Sequence, residues 1–249
     1  MPSTHVQAGT GPSLANLESL TFAGLVALLT IEGRLLRAPQ VLTGGTSINH
    51  PTGTRLIRIR GCGGGGAGGG TDAAAGAMGA NGSSAGYLEH VYTAASLTSS
   101  YTIGAAGTGV SGAGGGNGGD STFTHNGDTK TAGGGNGGGV VAGGTTVAVA
   151  SAGVAGTVSG SPLVAVPGQR GGQAVRPTAA TTPCFHTDSG GHTPLGSGGG
   201  VRGVTGAASA GLVATGFGAG GSGRLNGTST AAGAGADGTA GVWIVEEYA

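Results

Sequence analysis

Glycine in this sequence comes in blocks: Gly63 to Gly66, Gly68 to Gly70, Gly114 to Gly116, Gly133 to Gly135, Gly137 to Gly139 and Gly198 to Gly200. Ordering a residue costs about 1–2 kcal/mol of backbone entropy, and glycine loses the most freedom while offering no side chain to bury. With 62 glycines among 249 residues and only 4 Phe, 4 Tyr and 1 Trp, bulky side chains cannot carry the whole interior. A flexible linker or a fold held by its backbone remains. The mechanism open to such a fold is close approach. Without a Cβ, extended polyproline II segments can lie side by side and pair N–H with C=O between neighbours. The strict period of three that collagen requires is absent, so collagen itself is excluded.

Patterned segments separate the blocks, which a linker does not need. From Ile57 onward, Arg55-Leu56-Ile57-Arg58-Ile59-Arg60 alternates, placing Ile57 and Ile59 on one face of a strand and Arg58 and Arg60 on the other. Val242-Trp243-Ile244-Val245-Glu246-Glu247-Tyr248 is a second apolar strand with adjacent acids. If the two pair, Arg58 or Arg60 faces Glu246 or Glu247. Tyr87 to Tyr92, Ser100 to Ile103, Ser121 to Phe123 and Lys130 to Ala132 also read as strands. Residues 12–32 have leucines at helical spacing, interrupted by Gly24 and stopped near Gly33. Such an apolar helix is buried either against a partner or another copy, or on its own glycine-rich body. The expected fold is therefore mainly β and irregular, a bundle of short polyproline II glycine helices within one chain, joined by short strands and loops, with a short N-terminal helix. Residues 1–39 form a helical docking or oligomerisation segment and 40–249 the glycine-rich domain.

The net charge is zero and Lys130 is the single lysine, so the positive footprint for a nucleic-acid backbone is missing. The N-terminus lacks the basic region of a secretory signal, and the longest apolar stretch, Leu20 to Ile31, is too short to span a bilayer; a soluble product without membrane insertion is expected. Cys62 and Cys184 form no CxxC pattern and read as two free thiols or one long-range disulfide. Gly63, Gly65 and Gly68 satisfy GxGxxG, yet seven of the eight residues from 63 to 70 are glycine, so the match carries nothing. No nucleophile, metalloprotease or phosphate-loop signature is present, and the expectation is a non-enzymatic protein without a cofactor. Cys184, His186, Asp188 and His192 fall within nine residues in a C-x-H-x-D-x3-H spacing that matches no standard zinc pattern. A polar loop, a receptor-contacting loop and a metal site all remain open there, and no metal is assigned.

In order along the chain, Gly53-Thr54-Arg55-Leu56-Ile57-Arg58-Ile59-Arg60-Gly61-Cys62, Ala85-Gly86-Tyr87-Leu88, Tyr101-Thr102-Ile103-Gly104, Gly119-Asp120-Ser121-Thr122-Phe123, Thr131-Ala132-Gly133-Gly134-Gly135 and the closing Gly238 to Tyr248 follow one another. This series resembles the glycine-rich domain of bacteriophage and prophage tail-fibre or tail-tip receptor-binding proteins (adhesins), over roughly residues 40–249. The resemblance implies a glycine-rich sandwich of polyproline II helices and short strands, in a virion protein of the phage tail whose loops attach to a host cell-surface receptor, a polysaccharide or an outer-membrane protein. It also implies contact with other tail proteins through the N-terminal segment, and a homotrimer, although a bundle within one chain also suits a monomer. The alternative is a purely structural tail subunit. Residues 140–197 have few glycine blocks, which leaves two readings open there, scaffold or elaborated loop region. There the candidate receptor contacts are Arg170, Arg176, Phe185, His186 and His192.

Overall fold

The computed structural model describes residues 34–177, 184–228 and 230–249. The expected helix at 12–32 lies outside the described residues. Among those described there is no helix; regular structure is strand throughout.

The chain segments flanking the glycine blocks form a β-sandwich. One five-stranded sheet has the order Gln40–Leu42, Val242–Tyr248, Leu56–Cys62, Tyr87–Thr93 and Val164–Val166. The other runs Val158–Ser159, Asp128–Ala132, Ser121–His125, Thr98–Thr102 and Ser47–Asn49. The expected pairing of the two terminal apolar strands is present, antiparallel from Val242 opposite Cys62 to Tyr248 opposite Leu56. Alternation sends Ile57, Ile59, Val245 and Trp243 inward, where they meet Phe123, Tyr101 and Ile48 of the second sheet. Glu246 lies on the outer face beside Arg58 (3.3 Å) and Arg60 (3.1 Å), and Glu89 takes Arg58 at 2.7 Å. Glu247, its neighbour, turns inward and is fully buried, so Glu246 meets Arg58 and Arg60 and Glu247 does not. Asn126 and Gly127, at φ 50° and 78°, close the hairpin between Ser121–His125 and Asp128–Ala132; two successive positive φ values match the twist of the strands they join.

Beyond the sandwich the backbone itself becomes the packing surface. The amides of Gly64, Ala67 and Gly70 donate to the carbonyls of Gly119, Gly116 and Ala113. Those of Gly65, Gly68 and Thr71 go to Thr239, Ala236 and Gly233, and those of Gly63, Gly66 and Gly69 to Gly86, Ser83 and Ala80. Every third residue thus addresses the same neighbour. In return, the carbonyls of Gly64 and Ala67 accept from Gly135 and Gly138, those of Gly66 and Gly69 from Gly221 and Arg224, and that of Gly65 from Gly107. Three neighbouring segments accept and three others donate, which satisfies a buried backbone without a helix or a sheet. Residues 80–86 form a second interior segment with the same rule: Ala80, Ser83 and Gly86 donate to Gly139, Asn136 and Gly133, and Gly82 and Ala85 to Gly221 and Gly218.

Glycine is required here by space rather than by dihedral. None of the glycines from 63 to 70 has a positive φ, yet a Cβ on any of them would stand within 3.0 Å of a backbone carbonyl oxygen of a neighbouring segment. Positive φ does occur at turns, such as Gly76 (73°) and Gly112 (69°), where the chain reverses at the end away from the sandwich.

At that far end the chain forms two small four-stranded sheets. One is ordered Ala148–Ala150, Ala174–Arg176, Cys184–His186 and Gly203–Val204, the other Ala208–Ser209, Leu225–Asn226, Met78–Gly79 and Val140–Val141. They bury Met78, Ala150, Ala174, Cys184 and Leu225 between them. Of the two readings left open for 140–197, the described residues favour scaffold over a separate loop region. The amides of Gly153, Gly156 and Gly191 donate to Asn81, Ser84 and Gly82, and Ser84 donates to Gln169, so these passes enclose the second interior segment. A glycine at every third position suffices: Gly153 and Gly156 face inward while Val154 between them is exposed.

Candidate functional site

The far-end sheet carrying Cys184–His186 separates the candidate contacts by strand period. Val149 is opposite Val175, Val175 opposite Phe185, and Phe185 opposite Gly203. Val149 and Phe185 remain 49% and 41% exposed, so this row forms an apolar surface on the outer face. Arg176 and His186 occupy the opposite face and are buried. Arg176 donates to the carbonyls of Thr146, Gly76 and Ala142, and His186 Nε2 lies 3.0 Å from the carbonyl of Gly79. These two residues brace the turns at the end of the bundle, and this removes them from the exposed candidate contacts. Burial lowers the pKa of His186, with the Gly79 carbonyl opposing, so its neutral form is favoured.

Arg170 and His192 are exposed on the flank of the bundle. Arg170 Nε donates to the Gly153 carbonyl at 3.4 Å, and the backbone amide of His192 donates to Gln169 Oε1 at 3.1 Å. His192 Nε2 bonds Ser189 Oγ at 2.7 Å, and its Nδ1 accepts from the amide of Gly198 at 3.0 Å. The C-x-H-x-D-x3-H residues do not converge: Cys184 and His186 point into the interior toward Gly76 and Gly79, while Asp188 bonds Ser189. Among the described residues no group of three His, Cys, Asp or Glu is placed to hold a metal ion. Both cysteines are free and buried; burial pushes the Cys62 thiol up to about 12 and raises that of Cys184.

The structure assembles one constellation that the scattered histidines did not announce. Ser99 Oγ is 2.8 Å from His50 Nε2, and His50 Nδ1 is 2.7 Å from Glu247 Oε1, the order of hydroxyl, imidazole and carboxylate found in hydrolytic triads. The side chains of His50 and Glu247 have no solvent exposure and Ser99 is 2% exposed. Ser99 Oγ is also engaged by His125 Nδ1 at 2.8 Å, and Arg37 holds both oxygens of Glu247 at 2.5 and 2.6 Å. A nucleophile must reach a substrate atom, and this one is sealed inside the sandwich. The network joins the segment around Arg37, the turn at His50 and the closing strand, and its role is to satisfy a buried carboxylate. Residues 34–38 belong to the same framework, since Leu36 donates to Glu247 and Ala249 to Arg34 through the backbone.

No protein-family model matches the chain, and a search of curated proteins found no match.

Proposed function

We propose that the protein is a host-recognition module at the distal end of a bacteriophage or prophage tail fibre, acting by binding, without catalysis or a cofactor. The observation that carries this reading is polarity. Arg34 and Ala249, the first and last described residues, are joined by a backbone hydrogen bond of 3.0 Å at the sandwich end. The turns and small sheets around Gly76, Val149 and Phe185 lie at the other end of the bundle. A chain attached to other tail proteins through the residues that precede Arg34 therefore points that far end outward, on a scaffold stiffened by backbone bonding.

The glycine segments are read as polyproline II helices, which are extended, have three residues per turn and make no internal hydrogen bonds. The period of three and the bonding solely to neighbouring segments from 63 to 70 support this. Among the exposed candidates, Phe185, Arg170 and His192 are assigned to receptor contact.

A second reading, a structural tail subunit, is favoured by the exposed Val41, Leu56, Val91 and Val164 on the sandwich end. Cell binding separates the two. Purified full-length protein is expected to bind susceptible bacteria and block phage adsorption, and Phe185→Ser to weaken both; a structural subunit does neither. Light scattering on the full chain and on a chain starting at residue 34, which keeps Arg37 on Glu247, tests the trimer. Two monomers would exclude residues 1–33 as a trimerisation element.

A further inference from the structure

On the flank of the bundle, Arg170, Gly171, Gly172 and Gln173 on one side and Thr187 and Asp188 on the other enclose a cleft of about 280 Å³, with Ala152 at its margin. Its walls are held from beneath. Asn81, fully buried on the second interior segment, donates through Nδ2 to the Asp188 carbonyl (2.6 Å) and through its backbone amide to the Gly172 carbonyl (3.0 Å). Ser83, also fully buried, donates to the Gly153 carbonyl (2.6 Å) and accepts from the Gly171 amide (3.1 Å). Glycines pack the corresponding stretch of the first interior segment, so these polar side chains do more than fill space: they fix three passes of the chain relative to one another. Such support preorganises a binding site.

Above this base the charged groups keep unused capacity. Among the described residues, the Arg170 guanidinium engages the protein only through Nε, the Asp188 carboxylate only through Oδ1, and the Gln173 side-chain amide has no partner. Arg170 and Asp188 form no ion pair with each other. An anion entering the cleft meets Asp188 and a cation meets Arg170, whereas a neutral polyol accepts from the guanidinium and donates to the carboxylate. The volume falls just below the ~300–1,000 Å³ typical of drug-sized ligands, which suits a single ring.

We propose that this cleft binds one neutral, hydroxyl-rich sugar residue between Arg170 and Asp188. That the sugar belongs to a surface glycan rests on the host-recognition reading; the binding itself does not. With no aromatic wall to stack on, affinity is in the millimolar range, and useful attachment comes from several sites acting together.

The test is titration of the full-length protein, followed by amide NMR, with methyl glycosides of glucose, galactose, mannose and N-acetylglucosamine, and with sialic acid and inorganic phosphate as anionic probes. At least one neutral glycoside should bind saturably, shift the amides of Gly171 and Gly172, and lose about tenfold or more in affinity in Arg170→Ala and in Asp188→Ala. Both side chains are exposed, so the thermal midpoint should not change. No neutral binding, binding indifferent to both substitutions, or binding of the anions alone that strengthens in Asp188→Asn overturns the proposal. Sugar binding without attachment to cells sinks host recognition and leaves the cleft; attachment without sugar binding does the reverse.

Discussion

Phe123 and Gly66 are both buried, for opposite reasons. Phe123 stacks near Tyr101 and Tyr92 and meets Trp243 edge-on at 5.7 Å, so the sandwich is held by apolar area removed from water. Gly66 brings nothing to bury. Its amide donates to Ser83, its carbonyl accepts from Gly221, and a Cβ there would collide with the carbonyl of Asn136. One region fails when atoms are removed and the other when they are added. A backbone held on all sides also cannot relax as side chains can, because moving one segment breaks hydrogen bonds to several neighbours.

The largest effect should follow from this difference. Gly66→Ala adds one methyl and is expected to exceed the ~1–3 kcal/mol typical of overpacking among side chains, with little folded protein recovered. Gly206→Ala is the control, since a Cβ there has nothing within 4 Å and φ is not positive; it should be neutral or slightly stabilising in thermal melts. Equal tolerance of the two would break the comparison.

Next is the opposite operation in the sandwich. Trp243→Ala should cost about 3–5 kcal/mol in denaturant unfolding, from the cavity and from the lost bond of Nε1 to the Thr102 carbonyl. If Gly66→Ala proves milder than Trp243→Ala, backbone packing is less strict than the geometry implies.

Acid should loosen both regions. His125 in the sandwich and His186 at the far end have pKa values lowered by burial, with His50 adding to the effect at His125. The unfolded chain therefore takes up protons first, so stability is complete above the usual 6.5 and declines as pH falls below it. Glu89, lowered by its bonds from Arg58 and Tyr87, adds a second loss below its ordinary 4.5. His186→Gln should blunt the first decline while leaving the second. Unfolding midpoints that stay level from pH 7 to pH 5 would contradict the assignment of the buried neutral histidines.

The smallest effect is expected at the arginine ladder. Arg58 and Arg60 keep 39% and 34% side-chain exposure, so Arg58→Ala should cost no more than about 1 kcal/mol, and less in high salt.

Much of the sandwich was legible. Alternation placed Ile57 and Ile59 inward and Arg58 and Arg60 outward, and the terminal strands pair as their composition suggested. What alternation alone left open was which acid meets the arginines, because Glu246 and Glu247 exchange faces with a one-residue shift of register. In the bundle, blocks of glycine marked the first interior segment but hid the rule. The informative signal is glycine at every third position, as at Gly104 and Gly107 or Gly168 and Gly171, and this recurs through 140–197 where blocks are sparse. At the candidate site, polar residues in glycine-rich surroundings looked alike. Phe185 and His186 are adjacent, yet one is exposed and the other braces Gly79. Ser99, His50 and Glu247 carried no local signal, since 49 and 197 positions separate the bonded pairs.

The amino-acid sequence by itself determined that this interior had to be built largely from backbone, because residues without a Cβ bury little and approach closely. It also determined the faces of the long strands, through a period of two. Tertiary structure alone decided which polar groups went inside. Arg176, His186, Asn81 and Ser83 are buried because carbonyls and amides from distant passes of the chain converge on them, and convergence of that kind depends on register and packing that no local pattern records.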